Sequence, residues 1–139
     1  MTRLSRMGAL GLLLISALAP SLAAAQMIPR RIDAPVMLGG DPDFDACGSV
    51  GQIVGLDPNG DGFLSVRSGP GGKPYREIDR LYNGNKINVC GDRGPWLQIV
   101  YPADGRDCGV GTPWPVRQAY TGPCNYGWVH RRYVRIIAG

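Results

Sequence analysis

The chain has 139 residues and a formal net charge of +4, and its length is enough for one domain with an ordinary hydrophobic core. Arg3 and Arg6 lie in an N-terminal segment that we expect to be removed, which leaves 13 basic residues against 11 acidic ones. A net charge of about +2 argues against a nucleic-acid partner, because phosphate-driven binding needs a dense basic face. We interpret the local basic cluster of His130, Arg131, Arg132 and Arg135 as a solvated terminal strand.

Residues 1–25 have the features of a secretory signal peptide. Two arginines precede a short apolar run over residues 10–19, and the small residues Ala23 and Ala25 stand before Gln26. The run is well short of the roughly 20 residues that a membrane span needs. We therefore expect a cleaved signal peptide, no membrane span in the mature chain, and a periplasmic or secreted protein. An uncleaved N-terminal anchor is the alternative.

Residues 26–46 contain several prolines, a Gly-Gly pair and the acidic stretch DPDFD, with no apolar period. This composition predicts an N-terminal lead-in segment that is either flexible or draped over the domain. We place the folded domain itself at residues 47–139.

From Cys47 onward the pattern is typical of short strands. Apolar residues alternate with polar ones, glycines and prolines separate the segments, and no segment shows the period of a stable amphipathic helix. Asn83–Gly84 is a strong hairpin-turn signal. The pattern indicates an all-β barrel or sandwich. The predicted strands are GSVGQIVGL, FLSVRS, REIDRL, KINVCG, WLQIVY, YGWVH and VRII.

All four cysteines lie in the part of the chain that would meet an oxidising compartment after export. Four cysteines allow three pairings, and sequence alone does not fix one. The Gly- and Pro-rich segment between Cys108 and Cys124 favours a disulfide across that loop, worth about 3 kcal/mol in the chain-entropy model. This leaves Cys47 with Cys90. A zinc site is the competing interpretation, but no C-x-x-C pair occurs and the single histidine is remote in sequence.

Residues 57–62, DPNGDG, have the spacing of the first half of a calcium loop. An EF-hand requires a bidentate Glu at its twelfth position, where this chain has Ser68, and Pro58 occupies the second position. Asp and Asn beside Gly are also good turn residues. We interpret the segment as a turn, with a weak calcium site as the alternative, and we expect no cofactor and no metal.

Candidate catalytic groups are few. A Cys–His pair with His130 would need a reduced thiol, which export disfavours. No G-x-S-x-G elbow occurs. Glu77 and Asp79 share a strand face, and we interpret them as solvated. The sequence therefore predicts a protein that is not an enzyme.

The order of these segments resembles a bacterial SH3 (SH3b) domain. GFLSVRSGPG is similar to the opening of that family, REIDRLYNGNKINVCGDRGPWLQIVY to its middle, and GWVHRRYVRII to its close, over residues 62–139. The resemblance implies a small SH3-like, partly open barrel of short antiparallel strands. It also implies non-catalytic binding of peptides, often those of the cell wall. The long, disulfide-closed loop over residues 102–125 and the cysteines are departures from the general family pattern.

In such folds an aromatic groove is the usual ligand surface, because rigid rings give a large contact area at small entropic cost. The candidate binding residues are Trp96, Tyr133, Trp114, Tyr120 and Tyr75. Core packing is the alternative for these rings, and it is the role that we expect for Trp128.

We expect a monomer that binds a peptide or protein partner in the cell envelope, with peptidoglycan as one candidate. A second hypothesis is an inhibitor or immunity-type protein that inserts the Cys108–Cys124 loop into the cleft of an envelope or secreted enzyme.

Overall fold

The computed structural model describes residues 32–139. The expected signal peptide over residues 1–25 and the beginning of the lead-in lie outside the described residues. The described chain forms eleven strands and one 3₁₀-helix. In chain order they are β1 (Met37–Leu38), β2 (Asp41–Asp45), β3 (Ser49–Ile53), β4 (Leu64–Arg67), β5 (Glu77–Leu81), β6 (Lys86–Arg93), β7 (Trp96–Tyr101), β8 (Pro113–Trp114), β9 (Gln118–Ala119), β10 (Asn125–His130), the 3₁₀-helix (Arg131–Tyr133) and β11 (Val134–Ala138).

Seven strands in the described part of the chain form one sheet, in the order β11-β3-β6-β7-β10-β4-β5. Each neighbouring pair is antiparallel. These are the seven strands that the alternation predicted, so the all-β prediction is confirmed. The sheet is open, however, because its outer strands β11 and β5 do not pair with each other. Hydrogen bonding therefore does not close it into a barrel.

The central strand β7 shows how the sheet divides the core into two layers. Leu97, Ile99 and Tyr101 contribute to one buried cluster, whereas Val100 contributes to the other. This split follows from the period of two residues in a strand. The first cluster also takes in side chains from β3 and β6 in one half of the sheet and from β4 and β5 in the other. Both ends of the open sheet therefore cover one apolar layer.

The second layer contains the lead-in. Val36 and Leu38 have no solvent exposure, and they lie in one cluster with Trp128. The indole Nε1–H of Trp128 donates a hydrogen bond of 2.8 Å to the carbonyl oxygen of Ala34. Residues 32–38 therefore lie over the sheet and add buried side chains to its core.

The lead-in also pairs with the long loop. Strand β1 pairs with β9 and strand β2 pairs with β8, each in an antiparallel two-stranded sheet. The sequence predicts no strand in residues 26–46 or 102–125. These strands have two to five residues, and each pairs with a strand far away in sequence. No local alternation of apolar and polar residues therefore predicts them.

The disulfides are Cys47–Cys90 and Cys108–Cys124, and none of the four cysteines is free. The predicted pairing is confirmed. Two disulfides point to an oxidising environment outside the cytoplasm. Within residues 32–139, no helix has the length and apolar character that crossing a membrane requires.

Candidate functional site

A groove of about 660 Å³ lies between the segment that follows β3 and the end of β10. One wall is the segment over residues 54–63, which continues into β4, and the other is formed by the start of β7, the end of β10 and the 3₁₀-helix. Trp96 and Tyr133 both line it. The fold thus brings together two of the five aromatic residues that the sequence indicated.

The aromatic wall is built by the pairing of β7 with β10. The register places Trp96, the first residue of β7, opposite His130, the last residue of β10. Their ring centroids are 5.3 Å apart in an edge-to-face arrangement, a favourable geometry for aromatic rings. The Nδ1 atom of His130 accepts a hydrogen bond of 3.2 Å from the backbone N–H of Arg132. His130 therefore caps the 3₁₀-helix that ends at Tyr133 and holds this wall in place.

The opposite wall contains residues 57–62, which have the sequence spacing of the first half of a calcium loop. The carboxylate of Asp57 accepts a hydrogen bond of 2.8 Å from the N–H of Asn59, and its carbonyl oxygen accepts one of 3.1 Å from the N–H of Gly60. Gly62 has a φ of +69°, in the left-handed region that favours glycine. The segment is therefore a turn, as predicted. Among residues 32–139, no three His, Cys, Asp or Glu side chains come together as a group that could hold a metal ion.

Charges of both signs line the groove. Asp57 and Asp61 belong to the turn wall, and Arg132 belongs to the 3₁₀-helix. Arg67 of β4 also lines the groove, and its Nη1 donates a hydrogen bond of 3.2 Å to the carbonyl oxygen of Tyr75. The groove thus combines aromatic surface with carboxylate and guanidinium groups, a set that can bind a peptide carrying both amines and carboxylates.

A neighbouring carboxylate is held in its charged form beside the groove. The hydroxyl of Ser65, which lines the groove, donates to the carboxylate of Glu77, and the Nε of Arg80 lies 2.6 Å from the same group. The Ser65 hydrogen bond and then the Arg80 hydrogen bond lower the pKa of Glu77 below its ordinary value of 4.5. This pairing fixes Ser65 on the β4 side of the groove, and Arg80 balances the charge of Glu77.

The two aromatic candidates of the long loop do not line this groove. Tyr120 is only 2% exposed, and its hydroxyl donates to the carbonyl oxygen of Cys108 and accepts from the N–H of Cys124, each over 3.2 Å. It therefore holds the loop together across the disulfide and leaves no ring surface for a ligand, so we remove it from the candidate binding residues. Trp114 is half-buried, stacks on Tyr120 at 6.2 Å and donates from its Nε1 to the carbonyl oxygen of Gly109.

Tyr75 lies outside the groove lining as well. Its ring packs on Gly69, where an added Cβ would lie 2.3 Å from the ring carbons. Its link to the groove is the hydrogen bond that Arg67 donates to its carbonyl oxygen. The ring of Tyr75 is therefore a packing group beside the core, and its backbone carbonyl oxygen supports Arg67.

Several residues that line the groove have other predicted roles in the sequence analysis above. The sequence alone makes His130 a candidate member of a Cys–His pair, Asp57 and Asp61 candidate metal ligands, and Arg132 part of a solvated cluster. The available signal is their position, because His130 and Arg132 come just before Tyr133 in the sequence. The contribution of the acidic turn depends on how the chain folds back after β3, which no local pattern specifies.

No protein-family model matches the chain, and no curated protein and no solved structure matches it either. The resemblance to SH3b domains stays a prediction from the residues quoted above. Conclusions about function therefore rest on the groove and on the exposed surface of this chain.

Proposed function

We propose that the chain is an exported, non-catalytic binding module of the SH3b type that recognises a peptide in the groove. The observation that carries the proposal is the convergence of Trp96, His130 and Tyr133 on one wall with the acidic turn on the other. Rings with a polar edge supply contact area, and the charges orient the ligand. The two disulfides and the signal-like first 25 residues support a periplasmic or secreted location.

The peptide that best suits this groove is short and carries both amines and carboxylates around small apolar residues. The stem peptide of peptidoglycan has this chemistry, and a segment of another envelope protein is the alternative. Asp57 and Asp61 would face the amines of such a ligand, and Arg67 and Arg132 its carboxylates.

Binding is tested by mixing the protein with purified cell-wall sacculi, followed by titration with soluble stem peptides under tryptophan fluorescence. We expect Trp96→Ala to weaken binding about tenfold or more, as truncation of a central aromatic contact does. Trp114→Ala is the matched control, because Trp114 lies outside the groove lining. It should leave the affinity within about twofold, since residues away from the ligand contribute little.

Two results would contradict the proposal, the first for its ligand and the second for its binding site. Wild-type protein that stays in the supernatant with sacculi and does not bind the peptides would exclude peptidoglycan as the partner. A partner lost in Trp114→Ala and kept in Trp96→Ala would instead favour the inhibitor hypothesis. That second candidate is supported by the bracing of the loop through Cys108–Cys124 and through the hydroxyl of Tyr120.

A further inference from the structure

A second surface of the molecule lies in the two-stranded sheet of β2 with β8, which we call the ribbon. All five residues of β2 are exposed, and Phe44 is 70% exposed. Val116, which follows β8, is 69% exposed. These are the two most exposed large hydrophobic side chains in the part of the chain that the structure describes. Nothing in the packing of the core requires an aromatic ring at position 44.

The ribbon is exposed but fixed at both ends. Leu38 before β2 has no solvent exposure, and Cys47 after it is bonded to Cys90 of β6. On the other side, β8 lies inside the loop that Cys108–Cys124 closes. A protrusion held in this way loses little conformational entropy when it binds, which favours its use as a docking element.

Backbone hydrogen bonds along the ribbon support this rigidity. The N–H of Gly40 donates to the carbonyl oxygen of Trp114 over 2.9 Å, and the N–H of Ala46 donates to that of Thr112 over the same distance. At Gly39, φ is +74° and an added Cβ would lie 2.5 Å from the carbonyl oxygen of Trp114. The connection before β2 approaches β8 so closely at this point that glycine is required.

The chemistry of β2 alternates along the strand. Asp41, Asp43 and Asp45 occupy one set of alternate positions, and Pro42 and Phe44 the other. None of the three carboxylates forms a salt bridge within residues 32–139. Their charge is opposite in sign to the net charge of about +2 that we expect for the mature chain. The ribbon is therefore an acidic, partly aromatic surface on a basic protein.

Pro42 restricts how a partner can bind this strand. Proline has no backbone N–H, and on an exposed strand it opposes the addition of a further strand from another chain. Contact with the ribbon must therefore come mainly through side chains. The exposed side chains that it offers are the ring of Phe44 and the carboxylates of its two neighbours in sequence, Asp43 and Asp45.

We propose that the ribbon docks onto a partner protein whose surface presents Lys or Arg side chains around an apolar pocket that receives Phe44. Charge complementarity selects this class of partner, because three exposed carboxylates that form no salt bridge within residues 32–139 lie on the same short strand as the exposed ring. The surface is distinct from the groove, since none of the residues of β2 lines the groove. Its partner is a protein, and it does not depend on the peptide proposed above.

The probe is a labelled, end-blocked peptide of alternating Lys and Leu, followed by fluorescence anisotropy, with an alternating Glu and Leu peptide as comparison. Wild-type protein should bind the basic peptide and not the acidic one, and high salt should weaken this binding. The triple variant Asp41→Asn, Asp43→Asn, Asp45→Asn should weaken it about tenfold or more. Phe44→Ala should weaken it several-fold.

The matched control is Asp92→Asn, Asp104→Asn, Asp107→Asn, which removes the same number of exposed charges outside the ribbon and the groove and should change the affinity by less than about twofold. A loss in Trp96→Ala as large as that in the ribbon variants would show that the peptide binds in the groove, and it would also overturn the proposal. No binding by wild-type protein, an equal loss in both triple variants, or full binding by Phe44→Ala would overturn the proposal. So would a dimer of this chain that the ribbon variants dissociate in sedimentation velocity, because the occupant would then be a second copy.

Discussion

The three tryptophans show how position in the fold decides the role of one residue type. Trp128 on β10 is fully buried and donates its indole N–H to Ala34. Trp96 begins β7, stays partly exposed and lines the groove. Trp114 lies on the ribbon and stacks on the buried Tyr120. Only Trp96 combines exposure with a concave surface, so the peptide-binding proposal depends mainly on this residue.

Gly127, which precedes Trp128 on β10, has no room for a side chain. An added Cβ would lie 2.5 Å from Cγ1 of Val66 and 3.0 Å from the carbonyl oxygen of Arg67. We expect Gly127→Ala to lower the free energy of unfolding by about 1–3 kcal/mol through overpacking, measured by urea denaturation. Gly111→Ala is the control, because a Cβ there meets no atom within 4 Å. Equal stability of the two variants would contradict this account of β10.

The sequence could predict some of the aromatic residues of the candidate site but not others. Trp96 and Tyr133 could be predicted, because each adjoins a strand with clear alternation. Tyr120 could not, since its burial depends on Val36 and Leu38 of the lead-in, which share its cluster. Distant parts of the chain decide whether a loop residue is buried, and the local composition does not predict those contacts.

The Asn83–Gly84 turn shows that a sequence can predict a turn without predicting which strands pair. The turn forms, with the N–H of Asn85 donating to the carbonyl oxygen of Tyr82 over 3.0 Å. The flanking strands β5 and β6 nevertheless do not pair, because β5 pairs with β4 and β6 with β3 and β7. The prediction of a turn is therefore confirmed, whereas the prediction of a hairpin between the two flanking strands is wrong. Residue preferences specify the local bend, and the choice of partner strand comes from the shared core.

The two disulfides close loops of different lengths, and this predicts different contributions to stability. Cys47 and Cys90 are 43 residues apart, and Cys108 and Cys124 are 16 apart. In the chain-entropy model, replacing the first pair with alanine should lower the free energy of unfolding by about 4 kcal/mol and replacing the second by about 3 kcal/mol. Guanidinium denaturation of each double variant measures the difference. A larger loss for Cys108 and Cys124 would show that the model fails for this loop.

The seven strands of the main sheet were predictable because each has its own alternation and its own turns. The two small sheets were not, because β1 and β2 find their partners β9 and β8 across most of the chain. The same property makes the lead-in part of the folded unit. Leu38 and Val36 cover the layer that contains Trp128, and Asp33 accepts a hydrogen bond of 2.5 Å from the buried hydroxyl of Ser68.

Removal of residues 26–46 from the mature chain should therefore abolish cooperative folding. Burial of a Val or Leu side chain contributes about 1.5–3 kcal/mol, and a whole domain is stable by only about 5–15 kcal/mol. Deletion removes Val36 and Leu38 and uncovers Trp128. Near-ultraviolet circular dichroism and amide chemical-shift dispersion would report the loss. Within the segment, Leu38→Ala should cost about 2–5 kcal/mol, whereas Phe44→Ala should change stability by less than about 0.5 kcal/mol. A native spectrum from residues 47–139 alone would show that the sheet folds without its cover.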